Sequence, residues 1–524
     1  MLVRFISLFA VFSAALLVTS PARADWHKAE SERFVIFSDS SERDIREFAE
    51  RLERYHVAMT KVSTLNPPTP SPSNRVTVYA VGSPRTLKRL YGDKNSSVGG
   101  FYIPRAAGSV AFVPNVRVRG RDTDDSMIVL LHEYAHHFTI ASSSFALPRW
   151  VSEGSAEFFA SVKFAKDGGL DIGLPANHRA GDLNYAKQLS LRQILDYDNI
   201  AGRSGLRRDG FYGQAWLLYH YLMFNEQRLP QYGAYMTKFM QGMPSLQAAE
   251  EAFGDLDQLQ KELKAYQRQS RIPAIRLKPE VLPIGDVTVT KLTDGMDAMM
   301  DVILKSRRGV SREEALELLP DARKVAAKFP NDPGVLAALA EAEYDAGNDA
   351  EAIAAADKAI AIDPSQKNAY VQKGYALFRI ASAAEPGEVD DAYDAAMKPF
   401  EALNAIENDH PLPLMYYFRS FVQRGKAPSE NARAALERAS VLAPFDRSLR
   451  FNVAMLMISE AKNSLARQML APLAADPHQR EGAARARELM AVLERTPDGT
   501  RIERPAPPAP VATPEVSEDG AGEE

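Results

Sequence analysis

The stretch Met127-Ile-Val-Leu-Leu-His132-Glu133-Tyr-Ala-His136-His137-Phe-Thr-Ile140 carries the chemistry of this chain. His132, Glu133 and His136 spell H-E-x-x-H, and histidines at i and i+4 sit one turn apart on a single helix face. Both can then ligate one ion through neutral ring nitrogens, at about 2.0–2.1 Å, without moving the backbone. Met127, Leu131, Tyr134 and Phe138 form an apolar stripe, while Val129, Leu130 and Ile140 lie off it. If the histidines are neutral, Glu133 is the one charged side chain between Met127 and Ile140, so the pattern predicts a buried helix. A lone buried carboxylate beside two imidazoles is costly unless something compensates it, and a metal ion with bound water does so.

A third protein ligand is required, and the next helix offers two. Pro148 marks a helix start ahead of Arg149-Trp150-Val151-Ser152-Glu153-Gly154-Ser155-Ala156-Glu157-Phe158-Phe159. Glu153 and Glu157 share a face. Either could ligate, with the other accepting the outward N–H of a ligand histidine and fixing its orientation. Gly154 and Ala156 are small enough to let the helices approach closely.

These residues resemble the gluzincin peptidases, specifically the peptidase MA-like domains of bacterial exported proteins. The resemblance spans about Asp25 to Arg271 and includes Tyr212-Gly-Gln-Ala-Trp216. It implies Glu153, 17 positions after His136, as the third ligand, and places Glu157 behind the metal. The implied cofactor is Zn2+, one per chain, with an open position for a water whose pKa falls to about 7. Glu133 would take that water's proton and pass it to the leaving amine. A donor for the oxyanion is also needed. Tyr212 and His220, on one face of the helix expected from Phe211 to Phe224, resemble the family's downstream donor; the competing reading makes both core or cleft-wall residues. Family members bind extended peptides along a sheet edge, which would set the Gly99 to Val113 hairpin beside the cleft. The aminopeptidase signature G-x-M-E-N is absent, so no aminopeptidase assignment follows. His137 points off the ligand face and reads as structural. Arg149 reads as a loop-ordering residue or a contact for a substrate carboxylate, and Trp150 and Trp216 as core.

The expected fold class is α+β: a gluzincin-like mixed sheet with a helical subdomain, then an all-α tetratricopeptide-like solenoid. Strand signals at Phe34–Phe37 and Arg75–Val81 flank a charged amphipathic helix from Glu42 to about Val62, and the pattern is helical from Asp124 to about Arg271. Pro273, Pro279 and Pro283 make 272–310 read as a linker with one short strand between Ile284 and Thr290. Helices resume at Ser311, which forms a capping-box pair with Glu314. From 311 to 495 the chain repeats. Pro330 and Pro364 are 34 residues apart, and Pro411, Pro444 and Pro477 follow at steps of 33. The 47-residue step from Pro364 to Pro411 implies an insertion around Glu385 to Asp391. The segments resemble tetratricopeptide repeats in degenerate form, suited to a protein partner. The tail 496–524, rich in Pro, Ala and Glu, reads as disordered.

Residues 1–24 read as a signal peptide: Arg4, an apolar run from Phe5 to Val18, and an A-x-A site before Asp25. Export, by family resemblance to the periplasm, is the expectation, with no membrane span after cleavage. Losing Arg4 and Arg23 moves the net charge from −5 to −7, and five acidic residues lie in the last ten, so the folded part is near neutral and gives no case for nucleic acid. The absence of cysteine excludes disulfides and thiolate sites. Two function classes follow. The first is a zinc metalloendopeptidase acting on a peptide or protein substrate, with the repeats recruiting substrate or partner. The alternative is a catalytically silent peptidase-like domain on a repeat scaffold. The presence of Glu133, which a silent site has no chemical need for, favours the first.

Overall fold

The protein is described here from a computed structural model covering residues 25–93, 98–116, 125–142, 146–200, 209–475 and 480–502. The proposed signal peptide and most of the acidic tail lie outside these residues. No helix among them is long and apolar enough to cross a membrane.

The first part of the chain builds a mixed sheet. Its strands are β1 (His27–Glu30), β2 (Phe34–Ser38), β3 (Val76–Ala80), β4 (Phe101–Ile103), β5 (Val110–Val113) and β9 (Thr288–Lys291), in the order β4-β5-β3-β2-β1-β9. β2, β3 and β5 run parallel, while β4, β1 and β9 pair antiparallel. Alternation along the strands divides two cores. Phe34, Ile36, Val76, Val78, Ala111 and Val113 face helix α1 (Glu42–Ser63), through Ile45, Phe48 and Leu52. Tyr79, Val110 and Phe112 face the opposite side, against Leu87 and Leu90 of α2 (Pro84–Tyr91) and Met300 and Leu304 of the helix Asp294–Arg308. α1 begins where the sequence places it: the Ser41 side chain accepts from the Asp44 N–H and satisfies an otherwise orphaned donor.

Two sequence expectations differ from the structure. The stretch 272–310 contributes β8 (Ile275–Leu277), β9 at the edge of the main sheet, and the helix Asp294–Arg308 on that sheet's back face. The preceding helix, Leu256–Gln267, ends before the first of these prolines; β8 lies between Pro273 and Pro279, a 3-10 turn runs from Pro279 to Val281, and β9 follows Pro283. The helix also carried its own signals: Thr293 accepts from the Met296 N–H, Asp294 and Asp297 lie in the first turn, and Lys305, Arg307 and Arg308 in the last. The region 124–271 is not continuously helical either. β6 (Val162–Phe164) and β7 (Leu170–Ile172) form a hairpin, turned by Asp167-Gly168, that joins β8 in a second, three-stranded sheet.

Helices α3 (Asp125–Ser142) and α4 (Arg149–Ala160) pack on the main core and on each other, and α4 also packs on the helix Phe211–Phe224. The crossing of α4 with Phe211–Phe224 is close because residue 154 has no side chain. A Cβ there would lie 2.5 Å from the Ala215 carbonyl oxygen. Trp150, a core residue as expected, is 1% exposed and donates from Nε1 to the Tyr235 hydroxyl at 2.8 Å.

From Asp294 onward antiparallel helix pairs stack in sequence, including Pro333–Asp345 with Asp349–Ile362 and Arg447–Ser459 with Asn463–Ala474. The capping box at Ser311 and Glu314 forms. The expected insertion is spread over a longer pair, Lys367–Ser382 with 16 residues and Val389–Ile406 with 18. Gly374 meets Phe400 there, whose ring would be 2.5 Å from an added Cβ. Residues 496–502, expected to be disordered, instead return to the array: Asn463 Nδ2 donates to the carbonyls of Pro497 and Thr500, and the Ser464 N–H to Asp498.

Gly154→Ala is expected to lower stability by about 1–3 kcal/mol, because backbone must move at the α4 crossing. Thermal denaturation followed by circular dichroism checks this, against Gly181→Ala, where an added Cβ meets nothing within 4 Å.

Candidate metal centre

α3 delivers His132 and His136 one turn apart, and α4 lays Glu153 across them. The two histidine Nε2 atoms are 3.1 Å apart, and Glu153 Oε2 lies 3.4 Å from each. Ligands on a tetrahedral ion at about 2.0–2.1 Å are separated by roughly 3.3 Å, so the three atoms sit at the edges such an ion requires. Glu153 is 0% exposed, and neither of its carboxylate oxygens has a hydrogen-bond partner. A carboxylate left so is strongly destabilising unless a cation meets it. The donor set therefore fits Zn2+, and among the described residues it is the one cluster with metal-ligating geometry.

The structure places the other carboxylate behind this triangle. Glu157 Oε1 lies 3.2 Å from Nδ1 of His132, on the side of the ring away from His136. Glu157 is itself held by His178 Nε2 at 2.5 Å and by Arg179, whose Nε donates to Oε1 at 2.9 Å. His136 is steadied through Nδ1 by the Ser152 hydroxyl at 3.3 Å. Of the two carboxylates left open by spacing, Glu153 faces the nitrogens that would ligate and Glu157 faces the ring's outer nitrogen.

Charges in the cluster are strongly coupled. Burial raises the Glu153 pKa, but His136 and His132 outweigh it and hold the carboxyl well below the usual range. Glu157 is lowered likewise, by His132, His178 and Arg179 acting against burial. Burial lowers the His132 pKa, yet Glu157 and Glu153 raise it well above the ordinary histidine value. Ligation needs neutral imidazole nitrogens, so a metal would compete with protons for His132 and His136.

Tyr212 is within electrostatic reach of Glu153. Glu153, then burial, raise its hydroxyl pKa against the opposing charges of Arg149 and Arg179, and the Arg179 guanidinium lies 4.9 Å from its ring centre. Arg149 lies against the rings of Tyr197 and Phe211, at 5.0 and 5.6 Å from their centres. His220 does not join the site. It is 0% exposed, with Nε2 on the Gly173 carbonyl at 2.8 Å and Nδ1 on the Tyr266 hydroxyl at 2.9 Å. Both nitrogens are spent in the core, so His220 cannot serve an oxyanion; helical spacing alone paired it with Tyr212. Glu133 is half-buried on α3, which runs alongside the edge strand β4, and its charge bears on Tyr102 of that strand. His137 is structural, bonded through Nδ1 to the Tyr102 hydroxyl at 2.7 Å.

Sequence reasoning missed His178 and Arg179. They follow the β6–β7 hairpin, and nothing in the local pattern marks them; only the fold returns that turn to Glu157.

No protein-family model matches the chain, and no curated protein matches it. Solved structures similar to it include a thermophilic TPR protein of Thermus thermophilus, at 16% identity over 38% of this chain and 99% of that one, with TM-score 0.33. MamA from Desulfovibrio magneticus RS-1 matches at 18% identity over 38% and 97%, with TM-score 0.27. Yeast Tom70 matches at 13% identity over 87% and 75%, with TM-score 0.27. At these scores the repeat assignment rests on the chain's own paired helices.

Glu157→Ala is expected to weaken zinc binding about 10- to 100-fold, the usual effect of losing a carboxylate behind a ligand histidine. Competition titration against a zinc chelator, wild type beside variant, reads this directly.

Proposed function

We propose that the chain is an exported zinc metallopeptidase that hydrolyses peptide bonds within extended segments. The observation that carries this reading is the Glu153 carboxylate, fully buried, without hydrogen-bond partners, and aimed at two imidazole nitrogens at ligand–ligand spacing. A zinc ion held by His132, His136 and Glu153 supplies Lewis acidity toward water and the scissile carbonyl. The rest is the work of side chains. Glu133, half-buried beside the ligand pair, accepts a proton at its carboxylate and returns it to the leaving amine. Tyr212, kept protonated by Glu153 and burial, presents a hydroxyl donor to the developing oxyanion. Among the described residues β4 ends the sheet, and its outer edge would offer main-chain groups to an extended peptide.

A second reading keeps the metal and drops the chemistry: a silent peptidase-like domain on a repeat scaffold that binds a protein partner. The stacked helix pairs, which make up the larger part of the chain after Asp294, favour it. Glu133 separates the two, because only hydrolysis needs its carboxylate.

Elemental analysis is expected to give about one zinc per chain, lost in Glu153→Ala. Glu133→Gln is expected to keep the zinc and to lose roughly 10²–10⁴-fold in cleavage of a peptide library. Zinc without cleavage in the wild type would favour the scaffold; no zinc after loading would end both readings of the site.

A further inference from the structure

The β4–β5 hairpin does not end in solvent. Its tip, Pro104–Gly108, is held by the repeat array at several separate points. Arg105 donates through its guanidinium to the carbonyls of Arg307 and Arg308, the C-terminal end of the helix Asp294–Arg308. The Ala106 N–H donates to Asp446 Oδ2 at 2.8 Å, at the start of the helix Arg447–Ser459. Ala106 packs against the apolar cluster of Leu449 and Val453, and Ala107 against that of Phe378 and Phe400. Ala107 has a φ of +59°, a conformation that alanine keeps only when its surroundings fix it. Here its N–H donates to Asn74 Oδ1 at 2.9 Å, and Asn74 Nδ2 donates onward to the Leu442 carbonyl of the array.

The same array loop also touches the metal-binding helix. Phe445, 6% exposed, lies against the His137 ring with centres 4.5 Å apart, and His137 holds the Tyr102 hydroxyl of β4. One loop, Phe445-Asp446, thus grips the tip of the hairpin that carries the sheet edge and the back of the helix that carries His132 and His136. Stacked helix pairs generally present a face that binds an extended segment. In this chain such a segment is already in place, and it belongs to the chain itself.

We infer that the repeat array takes the β4–β5 tip as its ligand in cis, and that Phe445 and Asp446 are positioning residues for the edge strand β4. The array then works less as an arm that recruits a partner on this face than as a clamp that fixes the strand beside α3. The capture is a property of the polypeptide and does not depend on zinc or on hydrolysis. Its importance for substrate rests on the peptidase reading.

Hydrogen exchange of the full chain, stripped of metal by chelator, tests this. Asp446→Ser keeps a side-chain cap for the Leu449 N–H but withdraws the second oxygen from Ala106. Phe445→Ala empties the contact with His137, and Phe445→Leu restores apolar bulk. Asp446→Ser and Phe445→Ala are expected to speed exchange across 101–113 about tenfold or more, with the repeat helices still protected and Phe445→Leu returning most of the protection. Unchanged exchange across 101–113 in both variants overturns the inference. If either variant loosens the whole array, Asn74→Ala decides from the other side of the interface: faster exchange at 101–113 supports capture, and wild-type exchange there rejects it.

Discussion

A carboxylate buried without a hydrogen bond is among the least tolerable features a folded chain can carry, and the helices around Glu153 are arranged about one. The cost of its desolvation falls to a fraction if a cation sits among Glu153, His132 and His136, and the 3.1–3.4 Å spacing of their atoms leaves room for one ion and little else. Removing either histidine would leave the charge facing a single imidazole, and removing Glu153 would leave two imidazoles facing each other. The three residues therefore act as a unit.

Holding such a unit requires stiffness on every side. α4 approaches the helix Phe211–Phe224 so closely that a methyl at residue 154 would meet the Ala215 carbonyl, which fixes the height of Glu153. Trp150, one turn earlier, is bolted to Tyr235. Behind His132, Glu157 is clamped by His178 and Arg179, so a fixed negative charge faces the outer nitrogen of the ring. Precision at the site is thus paid for by packing in helices and by one returning turn.

Much of this was legible in the chain and some was not, for identifiable reasons. The i, i+4 pairs His132/His136 and Glu153/Glu157 reveal themselves because a helix turns a spacing into a face. Phe34–Phe37 and Val110–Val113 read as strands because each is a short continuous apolar run. Tyr212 and His220 share a helical face too, yet only the Tyr212 hydroxyl feels the charge of Glu153, while His220 is bonded in the core; a spacing says which residues align and not what lies opposite them. The prolines near 273–283 mark a break in the helical pattern but say nothing of pairing, and strands as short as β8 and β9 take their identity from partners more than 100 residues away in sequence. His178 and Arg179 belong to the same class of long-range information.

The repeats illustrate how a period can be read correctly and its use misjudged. A 33- or 34-residue step predicts stacked helix pairs because each pair cannot bury its apolar face alone. It does not say what occupies the face that results. Here two alanines and an arginine of a hairpin tip occupy part of it, and small side chains suit the place because they let main-chain N–H groups reach Asp446 and Asn74. The tip's sequence, Arg105-Ala-Ala-Gly108, looks like an ordinary exposed turn. Its conformation is intelligible only with the array present: a left-handed alanine, an interdomain asparagine, and a guanidinium closing the end of a helix. The helix of His132 and His136, the sheet edge and the repeats thus meet at one loop, so a displacement of the repeats would be transmitted to the strand alongside that helix without crossing the His132–His136–Glu153 cluster itself.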